Sequence, residues 1–119
     1  MIRPTTILVI DDEDIVRSLI CEMLELAGHS VIPAETPRRA LELLPDPRIR
    51  LVISDIVMPG LTGFELLEEV RGQRPSLPVL LVTGAGTEEN LSQALARGAA
   101  GLIPKPFTQR EIVDAVDAV

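Results

Sequence analysis

Short apolar runs alternate with stretches in which apolar residues recur every three or four positions, and this rhythm organises the whole chain. The runs Ile7–Ile10, Ser30–Pro33, Leu51–Ser54, Pro78–Val82 and Gly101–Ile103 read as strands, and the periodic stretches near residues 14–27, 37–44, 63–72, 88–97 and 109–119 read as helices. In the first helix Val16, Leu19, Ile20, Met23, Leu24 and Ala27 form an apolar face, and Gly28 marks its end. Thr62-Gly63-Phe64-Glu65 and Thr108-Gln109-Arg110-Glu111 have the spacing of capping boxes, in which threonine and glutamate side chains satisfy the first free amides of a helix. Thr87, followed by Glu88 and Glu89, is a further helix start.

Strict strand-helix alternation predicts a parallel sheet with helices on both faces, because parallel neighbours need a crossover connection. The runs LVIS and VLLVT, apolar on both faces, are what such a doubly wound α/β sheet requires. Pro104 lacks the amide that a central ladder uses, so the fifth strand is expected at an edge. Pro45-Asp46-Pro47-Arg48 reads as a loop, and residues 1–119 as one domain. The chain stops at Asp117-Ala118-Val119 inside a helical pattern with no C-terminal signal, as expected of a domain cut from a longer protein.

Composition narrows the function. Cys21 has no partner for a disulfide, and with His29 it makes no zinc ligand set, which suits a reducing, cytoplasmic setting. No apolar run approaches a membrane span and Met1-Ile2-Arg3-Pro4 is not a signal pattern, so no membrane association is expected. A net charge of −7, no Trp or Tyr, and only Phe64 and Phe107 argue against a nucleic-acid partner. Met58-Pro59-Gly60 reads as a turn. Ten of the eleven basic residues are Arg and one, Lys105, is Lys. Two readings of that ratio stand: arginine bias with one lysine left by chance, or a position that needs a compact ammonium.

The stretch ILVIDDED ends an apolar strand in four acids, Asp11 to Asp14. Like charges about 4 Å apart repel by roughly 4 kcal/mol at an effective dielectric near 20, so convergence of these groups must be offset. In an open parallel sheet, ligands bind beyond the carboxyl ends of the strands. Those ends carry Asp11-Asp12, Asp55, Thr83-Gly84 and, past Pro104, Lys105. Three carboxylates there call for a hard cation, and Mg²⁺ prefers oxygen ligands of this kind. Glu13 and Asp14 are expected in the first turn of the following helix, where its dipole favours negative charge. A carboxylate beside a divalent cation, a lysine and a hydroxyl can accept a phosphoryl group.

The order and spacing of ILVIDDED, SDIVMPG, LLVTGAG and IPKPF, spread over essentially the whole length, resemble the receiver domain of bacterial two-component response regulators. The resemblance implies a flavodoxin-like three-layer (βα)5 sandwich with strand order 2-1-3-4-5. It implies Asp55 as phosphoacceptor, with Mg²⁺ (or Mn²⁺) held by Asp12, Asp55 and the backbone carbonyl of Val57, and by Asp11 through water. Thr83, the amide of Gly84 and Lys105 would contact the phosphoryl oxygens, and the Lys105–Pro106 bond would be cis. A histidine kinase or histidine phosphotransfer domain would be the donor. An output partner would meet the face made by the fourth helix, fifth strand and fifth helix.

One position departs from the family pattern. Three residues before the lysine, where receivers typically carry Tyr or Phe as a switch residue, stands Leu102. Two readings stand: a weakened switch suited to a relay role, such as the receiver of a hybrid histidine kinase, and a plain strand residue compensated elsewhere. Val57 and Ala85, two residues past Asp55 and Thr83, offer no side-chain hydrogen bond to an attacking water, so slow autodephosphorylation is expected. The competing enzyme reading is a Mg²⁺-dependent aspartyl-phosphate hydrolase built on Asp12-Glu13-Asp14, but the chain is short for it and lacks a further acid pair and a cap module. A pseudo-receiver acting only as a binding module ranks below the active reading because the acids, threonine and lysine are all present. The phosphate-binding G-x-x-x-x-G-K-[ST] loop does not occur.

Overall fold

A computed structural model describes residues 4–84 and 88–119. The elements run β1 (Thr6–Ile10), α1 (Asp14–Leu26), β2 (Ser30–Ala34), α2 (Pro37–Leu43), β3 (Ile49–Asp55), α3 (Gly63–Gln73), β4 (Val79–Thr83), α4 (Glu88–Ala96), β5 (Gly101–Pro104) and α5 (Gln109–Asp117). Each lies within two residues of its sequence-predicted position. All pairings are parallel and the sheet order is β2-β1-β3-β4-β5. The two edge strands are the ones that contain proline, Pro33 and Pro104, where a missing amide interrupts no inner ladder.

The period-2 alternation of the strands divides the interior into two layers. Leu8, Ile10, Val52, Val79 and Leu81 point to one face and pack with Ala40 of α2, Leu66, Leu67 and Val70 of α3 and Ala94 of α4. Ile7, Val9, Leu51, Ile53, Leu80, Val82 and Ile103 point to the other and pack with Ile20 and Leu24 of α1 and Ile112 and Val116 of α5. The central strands are apolar on both faces because both faces are covered.

Local chemistry sets the helix boundaries. Both predicted capping boxes form: Thr62 with Glu65 opens α3, and Thr108 with Glu111 opens α5. Thr36 caps α2 and is followed by Pro37, whose missing amide costs nothing in a first turn. Gly28, with φ +94°, turns the chain out of α1 in the left-handed region. Thr87 lies outside the described residues.

Two expectations for α1 change. Glu13 is the N-cap rather than part of the first turn, and its side chain makes no capping bond. The buried stripe is narrower than the sequence face: Ile20 and Leu24 are buried, while Leu19 is 44% exposed and Ala27 lies just beyond the helix end as its C-cap. The sheet covers only one side of the helix, and Leu19 falls at the margin of that contact.

Candidate functional site: an acidic crevice at the strand ends

Strands β1 and β3 are neighbours, with Ile10 opposite Ser54, so the residues that follow, Asp11 and Asp55, leave the sheet side by side. After β1 the chain passes to α1 on one face, and after β3 to α3 on the other. Backbone polar groups are thus freed between them, at the switch point where doubly wound sheets bind ligands. On the far side of β3, Thr83 ends β4, and the Lys105 amide donates to the Thr83 carbonyl at 2.7 Å, fixing the lysine's backbone beside the crevice. The Lys105–Pro106 peptide bond is cis.

The side chains converge. Lys105 Nζ donates to Asp55 Oδ2 at 3.1 Å and lies 3.5 Å from Asp11 Oδ2 and 3.8 Å from Glu13 Oε1. Asp11 and Asp55 are buried, Thr83 is buried, Gly84 is exposed, and Asp12 stands exposed at the mouth. Asp11, Asp12 and Asp55 each present an oxygen within 4.8 Å of the others. The Glu13 amide donates to Asp11 Oδ1 at 2.9 Å, and the Val57 amide to Asp55 Oδ1 at 3.3 Å.

Electrostatics follow from this crowding. Burial pushes the Asp11 carboxyl above its ordinary value, and the negative charge of Asp55 adds to the rise; the Glu13 amide and Lys105 oppose it. For Lys105, burial works to lower the value, but the hydrogen bond to Asp55 and the charges of Asp11, Asp55 and Glu13 outweigh it, and the ammonium is stabilised. Lys105 has three carboxylates within 4.0 Å, and Asp12 stands beside two of them, so the crevice keeps excess negative charge. Asp11 Oδ2 is buried without a hydrogen bond, its ammonium neighbour Lys105 Nζ standing 3.5 Å away, and the candidate ligand atoms of Asp11, Asp12 and Asp55 are all oxygens. The residues present therefore fit a hard divalent cation.

Three residues that shape this crevice were missed as site residues in the sequence reading. Glu13 adds a further carboxylate to the lysine's surroundings, a role its position in the DDED run allowed but did not specify. Arg17, one turn into α1, donates to the Asp11 carbonyl at 2.8 Å and pairs with Asp14, holding the acidic loop against the helix. Gly63 opens α3, and a Cβ there would lie 2.4 Å from the Asp55 carbonyl oxygen and 2.7 Å from Ile56 Cα. Only glycine lets α3 start this close to the loop that leaves β3. The capping-box spacing marked the helix start, but not this contact.

The remaining predicted positions are placed as follows. Val57 is 75% exposed beside Asp55. Leu102 is half-buried on β5, opposite Leu81, and packs into the α3–α4 layer. Ala85 lies outside the described residues. Cys21 is a half-buried thiol on α1. His29 is buried, its Nδ1 accepting the Thr5 amide at 3.1 Å, which accounts for it structurally. No helix among the described residues is long and apolar enough to cross a membrane.

Fold and site together define a doubly wound α/β protein with a cation-competent acidic crevice at its switch point. Comparison with known proteins identifies the family: residues 7–117 match the response regulator receiver domain, and the chain belongs to that family. It is 38% identical over 113 residues to the transcriptional regulatory protein CpxR of Escherichia coli, covering 95% of this chain and 48% of CpxR. It is 35% identical over 116 residues to the phosphate regulon transcriptional regulatory protein PhoB of Pseudomonas aeruginosa, covering 96% and 51%. The chain thus spans about half the length of these two curated relatives. Among solved structures it superposes on the chemotaxis response regulator CheY4 of Vibrio cholerae with a TM-score of 0.89, 31% identity and coverage of 96% and 97%. The receiver domain of NtrX from Brucella abortus gives 0.85, 40% identity, and 94% and 96%. The chain is therefore a signalling domain of two-component systems, which sets aside the hydrolase alternative.

Proposed function

We propose that this domain accepts a phosphoryl group on Asp55 from the phosphohistidine of a histidine kinase or a histidine phosphotransfer domain. The observation that carries this reading is the 3.1 Å contact between Lys105 Nζ and Asp55 Oδ2, within a cluster that gathers the Asp11, Asp12 and Asp55 oxygens. In the transfer, an Asp55 carboxylate oxygen attacks phosphorus in line; the new O–P bond forms as the N–P bond to the donor imidazole breaks. Lys105 follows the charge from the carboxylate onto the transferring oxygens, and Thr83 with the Gly84 amide supplies hydrogen bonds there. Asp11, Asp12, Asp55 and the Val57 carbonyl would hold Mg²⁺, or Mn²⁺ in its place. When bound, the ion supplies positive charge to oxygens that Lys105 alone cannot neutralise.

The same reading assigns the domain to the cytoplasm, with output through the face formed by α4, β5 and α5. Leu102 on that face has no ring to swing, so the change transmitted through it is smaller than with an aromatic side chain. The aspartyl phosphate is long-lived, because Val57 offers attacking water no side-chain hydrogen bond; Val57→Asn is expected to shorten its lifetime. The direct test is intact-protein mass after incubation with acetyl phosphate, with and without Mg²⁺, on wild type and Asp55→Asn. One added phosphoryl group that needs Mg²⁺ and is absent from the variant is expected. Addition that persists in Asp55→Asn would reject Asp55 as the acceptor. If a phosphohistidine donor also adds nothing to wild type, the domain is a binding module.

A further inference from the structure

A concavity lies far from the acidic crevice, at the N-terminal end of the sheet. It has a volume of about 720 Å³, within the size range of small-molecule sites, and is walled by Thr5, Arg50, Arg74, Pro75, Ser76 and Pro78 among others. Arg50 and Asp55 sit on the same strand five residues apart, which places the two sites roughly 17 Å from one another. We propose that this concavity binds a small molecule bearing a phosphate monoester, with Arg50 and Arg74 as its charge partners.

The charge distribution supports this choice. The chain carries a net charge of −7, yet the residues that wall this cavity include two arginines and no acid. Arg17, Arg39, Arg48, Arg97 and Arg110 each have a carboxylate within 4.0 Å, whereas among the described residues Arg38, Arg50, Arg71 and Arg74 have none, and of these Arg50 and Arg74 wall one cavity. The nearest loop acid is already engaged: Asp46 is held by Arg48 through contacts of 2.7–3.1 Å. Arg74 instead donates through one terminal nitrogen to the carbonyls of Leu44 and Asp46, at 3.3 and 3.1 Å. Those bonds fix the guanidinium, which has no carboxylate within 4.0 Å and feels Asp46 only at longer range, and leave its other donors available to a ligand. Two such groups match the charge of a phosphate monoester near neutral pH, and their planar forks match its oxygens. The prolines give the cavity stiff apolar walls for the organic part of the ligand, and little freedom is lost on binding.

The experiment is an NMR titration of the Mg²⁺-free protein with inorganic phosphate and, separately, with adenosine monophosphate, against sodium chloride at matched ionic strength. Saturable shifts are expected at Thr5, Arg50 and residues 74–77, with none at Asp11, Asp55 or Lys105, and Asp55→Asn should bind equally well. Arg50→Gln, a change on an exposed strand position, should weaken binding by roughly tenfold. Arg74→Gln should do the same, while Arg110→Gln should not. Tighter binding of the nucleotide than of inorganic phosphate would show that the walls seat the organic part; equal binding would show that the phosphate group alone is held. Shifts that match the chloride control, that move to the Lys105 crevice, or that survive Arg50→Gln with unchanged affinity would overturn the proposal.

Discussion

At the C-terminal end of the sheet, Asp11, Asp55 and Glu13 converge on one ammonium, with the two aspartates buried and one buried oxygen without a hydrogen bond. At the N-terminal end, the charged groups are spread out: Arg48 clasps Asp46 and Arg74 rests on main-chain carbonyls. Both ends belong to the same strands, so backbone geometry alone does not make the difference. The acidic end concentrates unfavourable charge of a kind that a hard cation would relieve, and the fold must hold it together meanwhile. The other end pairs its loop acid with Arg48 and leaves Arg50 and Arg74 without a carboxylate within 4.0 Å. Charge crowding therefore works against stability at one end of the sheet, whereas at the other the local pairs support it.

The largest expected effect comes from the backbone that keeps the acidic end closed. Gly63→Ala places a methyl group against the Asp55 carbonyl and Ile56 Cα, and should cost about 2–3 kcal/mol in chemical denaturation. A Gly63→Ala protein as stable as wild type would mean that α3 can retreat and that its close approach is not a constraint.

Next comes the charge balance itself. Removing the ammonium with Lys105→Met leaves buried carboxylates uncompensated and should destabilise the metal-free protein by about 2 kcal/mol. Mg²⁺ should then raise its melting temperature more than it raises that of wild type. Asp12→Ala, an exposed change, should remove most of the Mg²⁺-induced gain and barely alter the metal-free melt. Asp55→Asn should melt above wild type without metal, because one of the crowded charges is gone. A lower metal-free melt for Asp55→Asn would show that its bond to Lys105 outweighs the repulsion.

The smallest effect lies at the other end of the sheet. The Arg48 side chain and amide hold the Asp46 carboxyl down at about 2, below its ordinary 3.8. A depressed acid contributes stability that is fully present above the unfolded value and is lost as pH falls through the folded one. Wild type should therefore melt slightly above Asp46→Asn at neutral pH, and that margin should hold down to the ordinary carboxylate value and shrink below it. A margin that stayed constant as pH fell toward about 2 would show that the carboxylate's charge is not its source.

How much of this was legible beforehand differs between fold and site. Hydrophobic period and punctuation located every element, because covered strands must be apolar on both faces and helices must present a stripe. Pro104 placed β5 at an edge by its missing amide alone. The capping boxes at Thr62 and Thr108 were readable because their chemistry is confined to four consecutive residues. The narrower stripe of α1 was not readable, since the margin of a helix's buried face depends on what packs against it.

The sequence by itself determined the alternation of elements, the chemistry available at each strand end and the family those motifs belong to. Local rules suffice for these, because each rests on a residue's own conformational preference or on neighbours within one helical turn. Only the tertiary structure decided that Lys105 reaches Asp55 across fifty residues of chain at 3.1 Å. It alone showed that Arg17 holds the acidic loop from behind, that Gly63 must lack a side chain, and that Arg50 and Arg74 share one cavity. Those contacts join groups remote along the chain, and their energies depend on burial and distance, which exist only once the layers have packed.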